Sequence, residues 1–375
     1  MTSSARKFSL SISSWFCVPD QGMKEFEILS RASAFLVKSR FEGKGPAAKH
    51  LFPQGRLKPI SGENVAKGEK GVHKFLPRFH LLTASHVVAP WLWPKYYPYD
   101  WLKFVNQSHT HYTVELRNED GLFMTQSECF PVSYHHRSRD LAVLHLEDEE
   151  ATIKMFEDLD FLVPELLLPS NQSEFEPAAI GNAQTFSMNN SKKPTSESLY
   201  SFLRNSDASS ASHNGKANGS KSVGTRLEFI GHDVNDSNDG TEGDVRRCVP
   251  LSTFGSVHGR TQAQIFCQTS RPLTEGMCGG PVLAHIPMPK SNDNSLSTAG
   301  GVAIAGMVEG IVPLDYADKS MRGLAVFVES PIINEFLEQI EQGPLVSGVE
   351  PLVGGESVEF IATTQHTPEF VMPEV

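Results

Sequence analysis

The sequence predicts an all-β fold that ends in a helix, and three observations support this prediction. Apolar runs typical of strands occur at Phe79–Val88, Asp140–Leu146 and Gln264–Thr269. A glycine-rich segment, Thr274–Leu283, is typical of a tight turn. Near the end of the chain, Pro331–Ile340 carries apolar residues at helical spacing. With 375 residues, of which 39% are hydrophobic, the chain is long enough to bury a sizeable core.

The first two runs each present one residue with catalytic chemistry. Phe79–Val88 ends at small residues, which predicts that His86 lies at the end of a buried strand. Asp140 opens its run at the edge of apolar sequence, where a buried carboxylate requires a hydrogen-bond partner. Taken singly, such a histidine is more often a core residue and such an aspartate more often a strand-edge acid. Both become informative only in combination with a nucleophile.

The glycine-rich turn supplies that nucleophile. Gly276 and Gly279 can adopt backbone conformations that a residue with a β-carbon avoids. The turn can therefore aim its amide hydrogens inward, as an oxyanion hole does, while Cys278 projects into a cleft. A lone free cysteine is more often a small buried apolar residue. Because His86, Asp140 and Cys278 follow one another in this order, each in a suitable local context, the sequence favours a catalytic triad.

Four motifs resemble those of trypsin-like peptidases with the chymotrypsin fold. They are Thr-Ala-Ser-His-Val at 83–87, Asp-Leu-Ala-Val-Leu at 140–144, Gly-Met-Cys-Gly-Gly-Pro at 276–281 and Ala-Ala-Ile-Gly-Asn at 178–182. The last is similar to a strand of the Deg/HtrA branch. A weaker match, Ala-Gly-Met-Val-Glu-Gly at 305–310, is similar to the strand that lines the substrate channel. The likeness runs from about residue 31 to about residue 340, with cysteine replacing the usual serine, as in the chymotrypsin-like cysteine peptidases of RNA viruses.

The resemblance implies two six-stranded antiparallel β-barrels and a C-terminal helix, together forming one catalytic unit. It implies that Cys278 attacks a peptide bond while His86 transfers the proton and Asp140 holds the imidazole. The oxyanion hole would consist of the amides of Gly276 and Cys278. The expected activity is that of an endopeptidase that cleaves polypeptide substrates through an acyl-enzyme intermediate, with no cofactor or metal. Met277 stands where secreted relatives have an acid, so activation by N-terminal cleavage is not expected.

The resemblance and the composition together predict the domain organisation. Residues 1–30 are expected to form a tail with weak transit-peptide character, and 31–165 the first barrel. Residues 166–343 are expected to form the second barrel, and 344–375 a C-terminal tail too short for a PDZ domain. The Ser/Asn/Lys-rich stretch 187–224 is expected to be a disordered insert, since it buries too little apolar surface to offset the entropy of ordering.

An aromatic insertion follows His86. Residues 90–101 hold three of the four tryptophans, which is consistent with a wall on the substrate side, with a partner contact or with a locally packed cap over the first barrel. Arg271 is the only basic residue close to the expected substrate pocket, and it indicates either acidic substrate side chains or a solvated loop. The sequence leaves substrate preference and oligomeric state open.

Composition excludes several other classes. A formal net charge of −11, without lysines clustered among the aromatics, argues against nucleic-acid binding. No apolar run reaches the length of a membrane span. His135, His136 and His145 lack the spacing of a zinc site and are expected to be solvated loop residues. The cysteines are five and have no framework spacing, which favours a reducing intracellular compartment, cytoplasmic or mitochondrial. They are Cys17, Cys129, Cys248, Cys267 and Cys278.

Two other functions are compatible with these residues. One is a catalytically inactive protease-fold protein that binds a peptide in its cleft, since the usual serine is missing. The other is a thiol esterase or redox sensor that uses Cys278 without cleaving peptide bonds.

Overall fold

The computed structural model describes residues 5–39, 78–94, 96–130, 133–136, 138–168, 227–235, 247–260, 264–286 and 301–342. The described residues form a seven-stranded antiparallel sheet and a closed six-stranded barrel. The motif at 178–182 and the predicted insert at 187–224 lie outside the described residues. The fold is therefore mainly β, as predicted, with few helices.

The N-terminal unit is the seven-stranded sheet. Its strands are β1 (Leu10–Phe16), β2 (Glu27–Lys38), β3 (Phe79–Thr83), β4 (Thr110–Arg117), β5 (Phe123–Cys129), β6 (Tyr134–His135) and β7 (Ala142–Leu144), in the order β5-β4-β1-β2-β3-β7-β6. The Phe130 amide donates to the His145 carbonyl at 2.9 Å, and the Glu147 amide to the Glu128 carbonyl at 3.0 Å. These bonds join the end of β5 to the chain after β7, so the sheet curls round on itself. The unit has seven strands where six were expected, because the two-residue β6 pairs outside this ring.

The assignment of residues 1–30 to a tail is wrong for Leu10–Phe16. This segment is strand β1 and lies between β2 and β4, inside the sheet. Its three serines obscure the strand pattern in the sequence, but all three are buried with partners. The Ser14 hydroxyl, for example, donates to the Val87 carbonyl at 2.7 Å, and Ser13 accepts from Arg31 Nε at 2.9 Å. Hydrogen bonding removes most of the cost of burying a hydroxyl, so a serine-rich strand is tolerated here.

The C-terminal unit is the closed barrel. Its strands are β8 (Leu227–Asn235), β9 (Arg247–Arg260), β10 (Ile265–Thr269), β11 (Pro281–Ile286), β12 (Gly301–Ile311) and β13 (Ala325–Glu329), in the order β10-β13-β12-β11-β8-β9. Every neighbouring pair is antiparallel. Before this unit, the Leu167 amide donates to the Ile304 carbonyl at 2.8 Å, so the chain that follows the first sheet already pairs with β12.

Three α-helices complete the described part of the chain, and the last of them packs against both units. They are α1 (Ser85–Val88), α2 (Glu149–Asp158) and α3 (Ser330–Gln342). Helix α3 confirms the prediction of a C-terminal helix. Its Phe336 is fully buried in one apolar cluster with Phe35 and Val143 from the first unit and Met307 from the second. Since each buried side chain of this size contributes about 1.5–3 kcal/mol, this shared core fixes the two units against each other.

Candidate active site

The structure brings His86 and Asp140 together at the end of the first unit. Strand β3 ends at Thr83, and the single turn α1 then turns His86 toward the boundary between the units. Asp140 lies two residues before β7, which pairs with β3. The Asp140 Oδ2 is hydrogen bonded to His86 Nδ1, and Oδ1 accepts from the His86 amide at 2.8 Å. One carboxylate therefore fixes both the ring and the backbone of His86.

The electrostatics of this pair favour a protonated imidazole. Burial alone would lower the pKa of His86, since a charge loses hydration there. The charge of Asp140 and its hydrogen bond to His86 raise the pKa and outweigh the effect of burial. A hydrogen bond to Cys278 also raises the pKa of His86, which reaches about 10. His86 is therefore poised to hold a proton between Asp140 and Cys278.

Cys278 enters the same site from the second unit. It follows a one-turn 3-10 helix, Glu275–Met277, and is 1% exposed. Gly279 has a φ of 79°, a left-handed conformation that glycine adopts without strain. The turn is anchored to the first unit, because the Ser33 amide on β2 donates to the Cys278 carbonyl at 3.1 Å. All three predicted triad residues thus meet at the boundary between the two units.

The turn differs from the predicted oxyanion hole. The Cys278 amide donates to the Glu275 carbonyl at 3.1 Å, so this donor is engaged within the 3-10 turn and does not face the cleft. The Ser33 hydroxyl donates to the Gly276 carbonyl at 2.6 Å and holds the next peptide in place. The physical reason is that a tight turn of this kind satisfies its own donors when nothing else accepts from them. In this conformation the hole formed by Gly276 and Cys278 is closed.

A cleft of about 750 Å³ opens beside Cys278. Two aromatic residues from the 90–101 insertion, Trp93 and Tyr96, form one wall. The Tyr96 ring stacks on His86 with ring centroids 4.8 Å apart and 26° between the planes. Farther along the insertion, Trp101 stacks on Phe16 of β1 at 5.0 Å. The first half of the insertion therefore lines the cleft, and its second half packs on the first unit.

A buried carboxylate that the sequence did not single out supports Asp140. Glu309 on β12 accepts from the Asp140 amide through Oε1 at 3.2 Å and from Gln264 Nε2 through Oε2 at 3.0 Å. Arg139 Nη1 lies 3.8 Å from Oε2. Burial raises the pKa of Glu309, while Arg139 and these hydrogen bonds act in the opposite direction. The only sign of Glu309 in the sequence is that an acid directly follows the apolar run 302–308.

The histidines expected in solvated loops are in fact buried to different degrees. His135 is 7% and His145 1% exposed, so that expectation is wrong for both. The Ser85 hydroxyl, next to His86 in the chain, is within hydrogen-bonding distance of His135 Nδ1 at 2.6 Å. Burial lowers the pKa of His135 to about 4, so it remains neutral at physiological pH. Within the described ranges, no group of three or more potential ligands is placed to hold a metal ion.

The raised pKa of His86 predicts a pH-dependent contribution to stability. A group whose pKa is higher in the folded than in the unfolded state stabilises the fold fully below its unfolded pKa, about 6.5 for histidine, and loses that contribution as pH rises through the folded value. We therefore expect Asp140→Asn to lower the free energy of unfolding more at pH 6 than at pH 10. Urea denaturation of both proteins at the two pH values measures this difference. An equal loss at both would contradict the assignment of the proton to His86.

The fold, an antiparallel seven-stranded sheet and a closed six-stranded barrel with a C-terminal helix, is consistent with a chymotrypsin-like fold, and a Cys–His–Asp grouping lies between its two units. No family model and no curated protein sequence matches this chain. Among solved structures, one similar chain is the Rv3671c protease in an inactive form, with 11% sequence identity, 90% of each chain covered and a TM-score of 0.33. Because this TM-score is low, the fold is assigned from the strand order and pairing of the two units. None of the helices in the described part of the chain combines the length and apolar character needed to cross a bilayer.

Proposed function

We propose that this protein is a cysteine-type endopeptidase that hydrolyses polypeptides through Cys278, His86 and Asp140. The observation that carries the proposal is the placement of Cys278 against a histidine whose other ring nitrogen is held by a buried carboxylate, at one end of an open cleft. All five cysteines are free, and such a thiol remains reduced in an intracellular reducing compartment, where we place the protein.

The reaction proceeds in two halves. His86 holds the proton of the Cys278 thiol before the attack, Cys278 Sγ then attacks the scissile carbonyl carbon, and His86 donates that proton to the departing amine as the carbon–nitrogen bond breaks. The product of this half is a thioester between Cys278 and the acyl part of the substrate. In the second half His86 removes a proton from water, the resulting hydroxide attacks the thioester, and the thiol is restored. Asp140 keeps the imidazole in one orientation throughout.

The negative charge on the carbonyl oxygen requires donors during both attacks. For the amide of Cys278 to serve, its bond to the Glu275 carbonyl must be replaced by a bond to the substrate oxygen. Rotation of the Glu275–Gly276 peptide would free this amide and turn the Gly276 amide toward the same point. Substrate binding therefore includes a local rearrangement of the 3-10 turn, and its cost reduces the apparent affinity for substrate.

The closed turn also favours a second candidate, an inactive protein that binds a peptide in the same cleft. In that case the Cys278–Glu275 hydrogen bond persists when the cleft is occupied, and Cys278 acts as an ordinary buried thiol. The two candidates differ in the reactivity of one sulfur atom.

Labelling with iodoacetamide at pH 7 separates them. An ordinary thiol with a pKa of about 8.5 is only about 3% ionised at pH 7 and reacts slowly, whereas a thiol that passes its proton to a neighbouring histidine reacts faster. We expect His86→Ala to slow alkylation of Cys278 at least about tenfold, as measured by mass spectrometry of the modified peptide. Burial raises the pKa of Cys129 and Cys267, so these two serve as slow internal references in the same sample.

Slow alkylation of Cys278 that is indifferent to His86 would overturn the peptidase proposal and leave the peptide-binding candidate. Fast, His86-dependent alkylation followed by hydrolysis of an ester but of no peptide library would instead indicate a thiol esterase.

A further inference from the structure

We infer that the cleft selects a large, uncharged apolar side chain next to the bond that is cleaved. This inference rests on the proposed function and adds the substrate class to it. Three features of the cleft carry it: the chemistry of its walls, the charges among its lining residues and the two glycines that give it width.

The walls of the cleft are mainly apolar on the side away from His86. The segment before the nucleophile contributes Pro272 and Leu273, and the end of β12 and the residue after it contribute Ile311 and Val312. Val326 of β13 also lines the cleft. An apolar concavity continuous with the reacting sulfur binds a side chain by removing apolar area from water, and a larger apolar side chain removes more.

The charges of the cleft disfavour ionised side chains. Among the described lining residues the charged side chains are the acids Asp140, Glu275 and Glu309, and no lysine or arginine is present. An acidic substrate side chain would therefore meet only like charge, and Arg271 does not line the cleft. The carboxylates of Asp140 and Glu309 already accept hydrogen bonds from within the site, so neither is left to pair with a basic substrate side chain. Glu275 lies exposed at the rim.

Two glycines determine how wide the cleft is. The pairing of β12 with β13 is irregular between Val308 and Gly310, which leaves Glu309 as an extra residue. In a regular strand, Glu309 and Gly310 would point to opposite faces, but this bulge allows both to line the cleft. A Cβ placed on Gly310 would meet no atom within 4 Å, so the space beside it is empty. Gly323 lies on the same lining, and a Cβ on it would contact Leu314 Cδ2 at 3.5 Å.

Apolar side chains at the mouth of the cleft remain exposed in the free protein. Tyr96 is 52% and Leu314 78% exposed, and both line the cleft. A substrate that covered them would gain from their burial. The mouth therefore favours apolar residues near the cleaved bond, in agreement with the interior.

Peptide chloromethyl ketones, which alkylate a cysteine within a cleft, test the inference. We expect compounds ending in Phe or Leu to inactivate Cys278 at least about tenfold faster than those ending in Ala, Lys or Glu. Gly310→Val fills the empty space and is expected to lower the ratio of the Phe to the Ala rate about tenfold. Gly259→Val is the matched control, because Gly259 also has no neighbour within 4 Å of a Cβ but is not among the lining residues of the cleft.

The outcomes separate this inference from the proposed function. If iodoacetamide labelling depends on His86 but the chloromethyl ketones react at equal rates, or fastest with Lys or Glu, the inference fails and the proposed function stands. If Gly310→Val and Gly259→Val change the Phe-to-Ala ratio equally, Gly310 does not set the width of the cleft, and the inference fails as well. If iodoacetamide labelling is indifferent to His86, the proposed function fails first.

Discussion

Cys278→Ala is expected to reduce peptide hydrolysis to the background rate, a loss on the order of 10⁶-fold by comparison with triad enzymes whose nucleophile is removed. The reason is that no other cysteine is among the described residues that line the cleft. The fold should persist, since loss of one small buried sulfur costs about 1 kcal/mol. Hydrolysis of an unbiased peptide library, followed by mass spectrometry, measures the effect.

Cys267→Ala provides the matched control. Cys267 is as deeply buried as Cys278, on strand β10 of the same unit, but it lies outside the cleft. The Cys267→Ala protein should therefore lose a similar amount of stability as the Cys278→Ala protein and keep full activity. Equal activity in the Cys278→Ala and Cys267→Ala proteins would contradict the role of Cys278. Cys278→Ser adds a further comparison, since a hydroxyl that retains activity would indicate a site still shaped for serine.

Gly279→Ala is expected to lower the free energy of unfolding by about 2–5 kcal/mol. Gly279 has a φ of 79°, which disfavours any residue with a side chain. A Cβ there would also lie 2.5 Å from the Thr83 hydroxyl and 2.7 Å from the Ala84 amide nitrogen, and closer still to the Ser33 carbonyl. All three belong to the first unit, so the added methyl group would push the two units apart. Urea denaturation measures the change in the free energy of unfolding.

Gly259→Ala tests whether the effect arises from the close approach of the units. Gly259 lies on β9, and a Cβ on it would contact nothing within 4 Å. Alanine there should change the free energy of unfolding by no more than about 1 kcal/mol. Similar losses for the two alanine variants would refute the steric argument.

The sequence was sufficient to predict what depends on short local patterns. The apolar run before His86 ends at small residues, and the structure has a strand there that ends in a single helical turn. The turn around Cys278 needs glycine at Gly279, and the positive φ explains why. The C-terminal helix followed from the spacing of its apolar residues, which α3 buries against both units.

Features that depend on partners distant in the chain were not predictable. Strand β1 appears polar in the sequence because the groups that satisfy its serines come from β2, α1 and β9. Glu309 appears as an acid in an apolar strand until Arg139 and Gln264 are placed beside it. The turn is closed because the Cys278 amide donates to the Glu275 carbonyl. The spacing of the motif does not indicate which acceptor this amide takes.

The contacts of Ser33 have a consequence for the order in which this protein gains activity. This one residue of β2 bonds to the carbonyls of Gly276 and Cys278, while the histidine and aspartate come from its own unit. The nucleophile therefore takes its position only after the C-terminal unit has docked on the N-terminal one. A chain still emerging from synthesis, or one whose units have separated, holds a cysteine and a histidine that do not meet. Under the proposed function, proteolytic activity is thus tied to completed folding of both units.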